Sequence, residues 1–390
     1  MKVLLDDVFF SMARSGVARY WESIVREWSR SGMLERAGIE LTILNRSGVL
    51  EPYGFPTIGF GHRNGELDYR AVERGLMTSI CESEGTDVFV STYFTWVPGP
   101  KNLCIIYDLI PEVFNFNLTA RDWVERRLAP VVADAYVAIS ESSRTDLLRH
   151  YDFVDESLVT IARPGIDHET FWRGSDHDIA DFRRAAGLDR PYLLIPGQRH
   201  SRPSEYKNAR IVLEAIARHG SNDLDIVFTG GEEVEDWERD AARDAGVALH
   251  RLQLSDAELA LAYSGATVVV YPSLYEGFGM PPLEALAVGT PVITTLRSSL
   301  PEAVGDLSLD FDGYSIDAFT ERLRQSQNTE HVRHIRRAGP EWASGFTWTE
   351  TAQNMADALL RCAATPAFPN RDRFVESLRA YNSHSIELQR

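Results

Sequence analysis

Short apolar runs alternate with amphipathic stretches along most of the chain. In the first half the runs are Val3 to Leu5, Leu41 to Leu44, Val88 to Ser91, Leu103 to Tyr107, Tyr136 to Ile139 and Val159 to Ala162. Between them, Gly16 to Ser29, Leu67 to Cys81, Arg121 to Ala133 and Ser142 to His150 carry their charges on one side, the pattern of a surface helix. Strands alternating with helices predict a parallel sheet, doubly wound. The stretch ARPGIDHETFWRG breaks both periodicities at Pro164, Gly165 and Gly174, which places a domain boundary there, after residue 173. Beyond it the alternation restarts, with strands expected at Tyr192 to Ile195, Ile226 to Thr229, Val247 to His250, Thr267 to Tyr271 and Val292 to Thr295. Helices are expected at Asn208 to Arg218 and Asp236 to Ala245. A third, Asp256 to Tyr263, opens with Ser255 and Glu258 spaced as a capping box, each satisfying the other's backbone donor. Two open α/β domains facing each other enclose a cleft, and such sheets bind ligands outside the carboxyl ends of their strands. The active site is therefore expected between the domains.

At 390 residues the chain has room for two or three domains, each with its own core. Forty Lys and Arg stand against 57 Asp and Glu, a net charge of -17 that is negative in both halves. A phosphate-bearing partner must then be held by a local pocket, and nucleic acid is not expected as a partner. Three unevenly spaced cysteines, Cys81, Cys104 and Cys362, offer neither a disulfide framework nor a zinc set. Asp6 and Asp7 fall where a secretory leader needs apolar residues, and no long uncharged run follows, so neither a leader nor a membrane span is expected.

The stretch VVVYPSLYEGFGMPPLEALAVGTPVITT reads as strand, glycine-containing loop and helix, with Pro281 and Pro282 in a first turn where a missing donor costs nothing. The loop Glu276, Gly277, Phe278, Gly279 and Met280 thus ends at the positive end of a helix, with small residues that let a ligand approach the amides. Such a loop can cradle a phosphate or a polyol. Glu276 and Glu284 bracket it, and carboxylates accept hydrogen bonds from sugar and ribose hydroxyls. Alternatively, Glu284 complements the helix dipole and Glu276 is solvated.

The stretch EGFGMPPLEA resembles the E-G-F-G-x-P-x-x-E-A signature of retaining family-4 glycosyltransferases of the GT-B fold, an E-x7-E motif matched in full. The resemblance implies an α/β architecture of two Rossmann-like doubly wound domains facing a central cleft: 1–173 for the acceptor and 174–364 for the nucleotide-sugar donor. FTWTETAQNMADALL is similar to the family's closing F-x-W element, after which a segment over 365–390 would cross back onto the first domain. Glu276 and the amides of Gly277, Phe278 and Gly279, with Met280, would bind the transferred sugar; Glu284 would bind the ribose. In PYLLIPGQRHSRPSEYKNARIVLEAI, Arg199 and Lys207 match the family's pair of cations that clamp the donor pyrophosphate, with Arg202 an alternative to Arg199. Charge developing on a departing diphosphate is what two such cations stabilise in a dry cleft.

FFSMARSGVARY is similar to the family's G-G-x-x-R-Y loop, which gives Gly16 and Arg19 a place opposite the donor phosphates, with Ser15 replacing the first glycine. A bland alternative leaves Arg19 on an exposed helix. IIYDLIPEVF resembles the H-D-x-I-P segment, with Tyr107 in place of His and Asp108 as a carboxylate able to orient the acceptor or the sugar; the alternative is that Asp108 caps the following turn. Ser140, Ser142 and Arg144, in AISESSRTDLLRH, are read as structural. Gly230 ends a strand and either lines the nucleotide or makes a simple turn, and Leu252 lies in a segment that passes beside the base.

The ten histidines show no metal-binding spacing. Asp176 and Asp178 flank His177 in a stretch read as solvent-exposed. Metal-independent chemistry is thus expected, with Arg199 and Lys207 where a divalent ion would otherwise stand. Beyond the donor substrate, a nucleoside diphosphate sugar, no cofactor is expected. The resemblance implies transfer of a hexose, mannose-like favoured, to a saccharide or lipid-linked saccharide in surface polysaccharide synthesis, in the cytoplasm, with membrane contact at most peripheral. A basic patch at Arg121, Arg126 and Arg127 would serve such contact if it is not simply a solvated helix face. A GT-B epimerase and a non-catalytic sugar-nucleotide-binding subunit are the alternatives.

Overall fold

A computed structural model describes residues 1–13, 15–61, 69–116, 123–200, 204–220 and 223–366. It contains two compact units: Met1–Arg163 with the chain from Trp348 onward, and Pro164–Thr347. The first holds β1 (Lys2–Asp6), β2 (Glu40–Asn45), β3 (Thr57–Gly59), β4 (Val88–Ser91), β5 (Lys101–Ile106), β6 (Ala135–Ala138) and β7 (Val159–Ile161), in the order β3-β2-β1-β4-β5-β6-β7. Every pairing is parallel. The second holds β8 (Tyr192–Pro196), β9 (Asp225–Thr229), β10 (Leu249–Leu252), β11 (Val268–Tyr271), β12 (Val292–Thr295) and β13 (Leu309–Phe311), in the order β10-β9-β8-β11-β12-β13, again all parallel.

The central strands are apolar on both faces because helices cover both, so buried strands read as unbroken runs such as Val268, Val269 and Val270. In each sheet the winding reverses once, between β1 and β4 in the first and between β8 and β11 in the second. Loops leaving the carboxyl ends of those strands diverge and leave a crevice, the usual ligand site of such sheets.

Three expectations are corrected. The contact boundary falls at Arg163, ten residues before the sequence break, because Ile166 bridges to Thr347 within the second unit. The helix Trp348–Ala364 belongs to the first unit, not the second: Trp28 Nε1 donates to the Ala352 carbonyl at 3.0 Å, Thr351 Oγ1 donates to that of Arg163, and Trp348 meets Tyr20 edge to face. Helical periodicity shows that a buried face exists, not which sheet it covers. Finally, β10 starts two residues later than expected, while β3 and β13, three-residue edge strands, have no counterpart in the apolar pattern. Residues 367–390 of the expected C-terminal segment lie outside the described residues, as do Arg202 and Arg121.

Candidate functional site

The second unit's crevice is built from the loops after β8 and β11, the strands flanking its reversal. The first loop carries Lys207 and the second Glu276, and they meet there: Lys207 Nζ lies 2.8 Å from Glu276 Oε1 and 3.0 Å from Oε2. The Leu274 N–H ties the two loops by donating to the Tyr206 carbonyl at 2.7 Å, and Asn208 Nδ2 donates to the carbonyl of Pro272 at 3.1 Å. The first tie joins backbone to backbone and the second reaches it from a side chain, so the chain itself holds ammonium and carboxylate in register. Tyr271, the last residue of β11, places its hydroxyl 3.5 Å from Lys207 Nζ; burial, with Glu276 beside it, pushes this phenol well above its ordinary range, so it remains a proton donor.

The Glu276 loop is braced from beneath by the loop after β12. Ser298 Oγ accepts from the Glu276 N–H at 2.8 Å, and Ser299 Oγ lies 2.8 Å and 2.7 Å from the carbonyl oxygens of Glu276 and Phe278. Gly279 ends the loop at φ 117°, where a side chain would be strained and its Cβ would meet Leu300 at 3.0 Å. The helix Met280–Ala287 follows, with proline in its first turn as expected. Glu284 sits within this helix, 3% exposed, and accepts a hydrogen bond from the Tyr263 hydroxyl at 3.1 Å. Tyr263, on the helix Asp256–Gly265, is itself fully buried. Sequence reasoning misses it; its one signal is a phenol inside an otherwise apolar helix face.

Arg199 departs from its expected place. Its side chain is enclosed, 1% exposed, with Nε 2.9 Å from Glu238 Oε1, Nη2 donating to the carbonyls of Glu232 and Glu233, and the guanidinium stacked over Phe228 at 4.1 Å. The charge expected on a donor phosphate is thus engaged by a buried carboxylate from the helix Asp236–Asp244. Thirty-nine residues separate the partners, a distance at which no local pattern operates. Gly230 and Leu252 are brought together through their backbones, the Gly230 N–H donating to the Leu252 carbonyl at 3.0 Å.

Gly16, Arg19 and Asp108 belong to the first unit. Gly16 opens the helix Gly16–Ser31 and a Cβ there would meet nothing within 4 Å, so the protein's own packing does not demand glycine. Arg19, half-buried, lies in the first turn of the same helix. Asp108 takes the turn-capping alternative: Oδ1 accepts from the Ile110 N–H at 3.0 Å and from Arg126 Nη2 at 2.9 Å. Arg126 is in turn buried and also 3.5 Å from Glu112, which removes it from any exposed basic patch. Tyr107, standing where the resembled family has His, is internal; it accepts from Trp21 Nε1 at 2.6 Å and donates to the Thr92 carbonyl at 2.7 Å. Among the described residues no group of His, Cys, Asp and Glu converges as a metal set, and no helix is long and apolar enough to cross a membrane.

Residues 189–342, which include all of this second-unit geometry, match the family described as Glycosyl transferases group 1. The chain is also 31% identical over 327 residues to the alpha-maltose-1-phosphate synthase of Mycobacterium tuberculosis, a match covering 74% of this chain and 82% of that protein. The chain belongs to the group 1 glycosyl transferases. Within the family, it is 43% identical over 224 residues to the O-antigen chain mannosyltransferase B of Escherichia coli, covering 55% of this chain and 58% of that protein. It spans 59% and 56% of the length of two other curated relatives. In structure it shares the fold of the Anabaena protein HepE, solved in complex with UDP-glucose, with a TM-score of 0.69 at 17% identity over 93% of this chain and 99% of that one. The GT-B fold class expected from the E-x7-E resemblance is the one found.

Proposed function

We propose that the chain is a retaining, metal-independent hexosyltransferase that moves a hexose, mannose favoured, from a nucleoside diphosphate sugar to a saccharide or lipid-linked saccharide. The observation that carries this reading is the Lys207–Glu276 pair at the strand reversal of the second sheet. Lys207 supplies positive charge for the departing diphosphate, and the counter-ion Glu276 holds the ammonium in place until the donor arrives. Glu276 and the amides of Gly277 and Phe278 bind the transferred sugar, and Glu284 binds the ribose. With Arg199 enclosed, Lys207 carries the phosphate role, and Arg199 holds the Glu232–Glu233 turn. The departing phosphate oxygen takes the acceptor proton on the same face of the sugar, so no protein nucleophile is required. The mannosyltransferase relative from Escherichia coli supports the choice of sugar and a role in surface polysaccharide synthesis. On this reading the protein works in the cytoplasm and touches the membrane at most peripherally.

The test is transfer from GDP-mannose, UDP-glucose and related donors to saccharide acceptors, with and without chelator, reading the product anomer by NMR. Acceptor-dependent transfer with retained configuration and no effect of chelator is expected, and Lys207→Ala should lower turnover by about 10²–10³-fold. Epimerised product without acceptor would replace the reading by a nucleotide-sugar epimerase, and donor binding with no turnover would make the chain a non-catalytic subunit.

A further inference from the structure

A second cavity, about 650 Å³, opens at the other end of the same sheet. Pro191, Leu224, Thr267 and Pro291, each immediately before β8, β9, β11 or β12, line it, so it faces the amino ends of the strands whose carboxyl ends carry Lys207 and Glu276. Its volume is in the range of small-molecule sites.

Three arginines line this cavity: Arg173, Arg183 and Arg336. In a chain with 57 acidic residues, none of the three has a carboxylate within ion-pair distance among the described residues. Arg183 donates to the carbonyls of Leu188, Asp189 and Arg190, and Arg173 donates to that of Ser264 at 3.0 Å. Ser264 is in the last turn of the helix Asp256–Gly265, and a helix carboxyl end attracts a cation, which accounts for Arg173. It does not account for Arg336, an exposed residue of the helix Thr329–Ala343 with no side-chain hydrogen bond or ion pair among the described residues. Burial disfavours the charge of Arg173 first, Arg336 on the same cavity opposes it further, and Asp176 offsets them only in part. Like charges facing one cavity are stabilised by an anion between them. Asp176 and Asp223 also line the cavity and are acceptors suited to hydroxyl groups.

We propose that this cavity binds a phosphate monoester of a small polyol, such as a hexose phosphate, with its phosphate between Arg173 and Arg336 and its hydroxyls toward Asp176 and Asp223. The site is separate from the donor crevice and does not depend on the reading of that crevice.

Calorimetric titration of the full chain with glucose 6-phosphate, inorganic phosphate and glucose tests it. Glucose 6-phosphate should bind one to one, more tightly than inorganic phosphate, and glucose should not bind. Arg336→Gln should weaken the ester about tenfold or more, the loss of one charge-assisted contact, with the melting temperature of the free protein not lowered. Arg173→Gln should weaken the ester likewise. Lys207→Ala, at the other end of the sheet, should leave ester affinity as in the wild type. Absence of ester binding, binding lost in Lys207→Ala but kept in Arg336→Gln, or equal binding of glucose would overturn the proposal. Equal affinity for inorganic phosphate would overturn the polyol part of it.

Discussion

Tyr263 and Glu284 show what one hydroxyl can do in a site of this kind. The phenol occupies one carboxylate oxygen and so fixes the direction of the other. Tyr263→Phe should keep the ring's packing against Phe171 while removing this hydrogen bond from the carboxylate. On the proposed ribose role, KM for the donor should rise about tenfold with kcat changed less than about twofold, the signature of lost uniform binding in steady-state kinetics. Arg199→Ala belongs to a different class, since it takes the guanidinium from the buried Glu238 and leaves that carboxylate only the Glu235 N–H and His200; a stability loss of about 3–5 kcal/mol is expected in denaturant titration. The sequence makes Glu276, Glu284 and Lys207 visible because the first two share one short loop and helix and the third sits in a recognisable segment. It does not separate Arg199 as a phosphate ligand from Arg199 as a buried structural cation, because Glu238 comes from a distant helix. For Asp108 the sequence allows both readings, and the nearby Ile110 N–H and the distant Arg126 together select the cap.

Among the elements, those that carry their own signals were legible. The box of Ser255 and Glu258 forms as spaced, with the Ser255 N–H donating to Glu258 at 2.8 Å. Edge strands β3 and β13 were not, since a glycine ends the first and an aspartate interrupts the second, whereas the equally short edge strand β7 runs on into Ala162 as an apolar stretch. Close helix packing was equally hidden. Gly339 lies where a Cβ would stand 2.5 Å from the Leu286 carbonyl, so the helices Thr329–Ala343 and Met280–Ala287 meet there with no side chain between their backbones. Gly339→Ala should cost about 1–3 kcal/mol by overpacking despite alanine's better helix propensity, measurable as a lower melting temperature. His331, in the first turn of the same long helix, is disfavoured as a cation by burial and by His334. Its proton binds less tightly in the folded chain than in the unfolded one, so the stability it contributes is complete above about pH 6.5 and is lost as pH falls below that. His331→Gln should flatten the acid side of a melting-temperature profile between about pH 7.5 and 5.5.

For the whole molecule, the decisive feature is that one unit is continuous and the other is not. Removing everything after Thr347 would take away the helix Trp348–Ala364, leave Trp28 without its acceptor and bare the first unit's surface around Tyr20. Calorimetry of such a truncated chain should retain a transition for Pro164–Thr347 while that of the first unit is lowered or lost. The alternation of strands and helices told of two such units, but the owner of the helix Trp348–Ala364 is decided by packing alone. On the ribosome this reverses the usual order, in which amino-terminal domains fold first as synthesis proceeds. The second unit has all of its chain once Thr347 has emerged, whereas the first, although begun earlier, waits for the helix Trp348–Ala364 to be made. Until then its unfinished face is a natural client surface for chaperones, and a stall in translation between the two units would leave that face uncovered for longest.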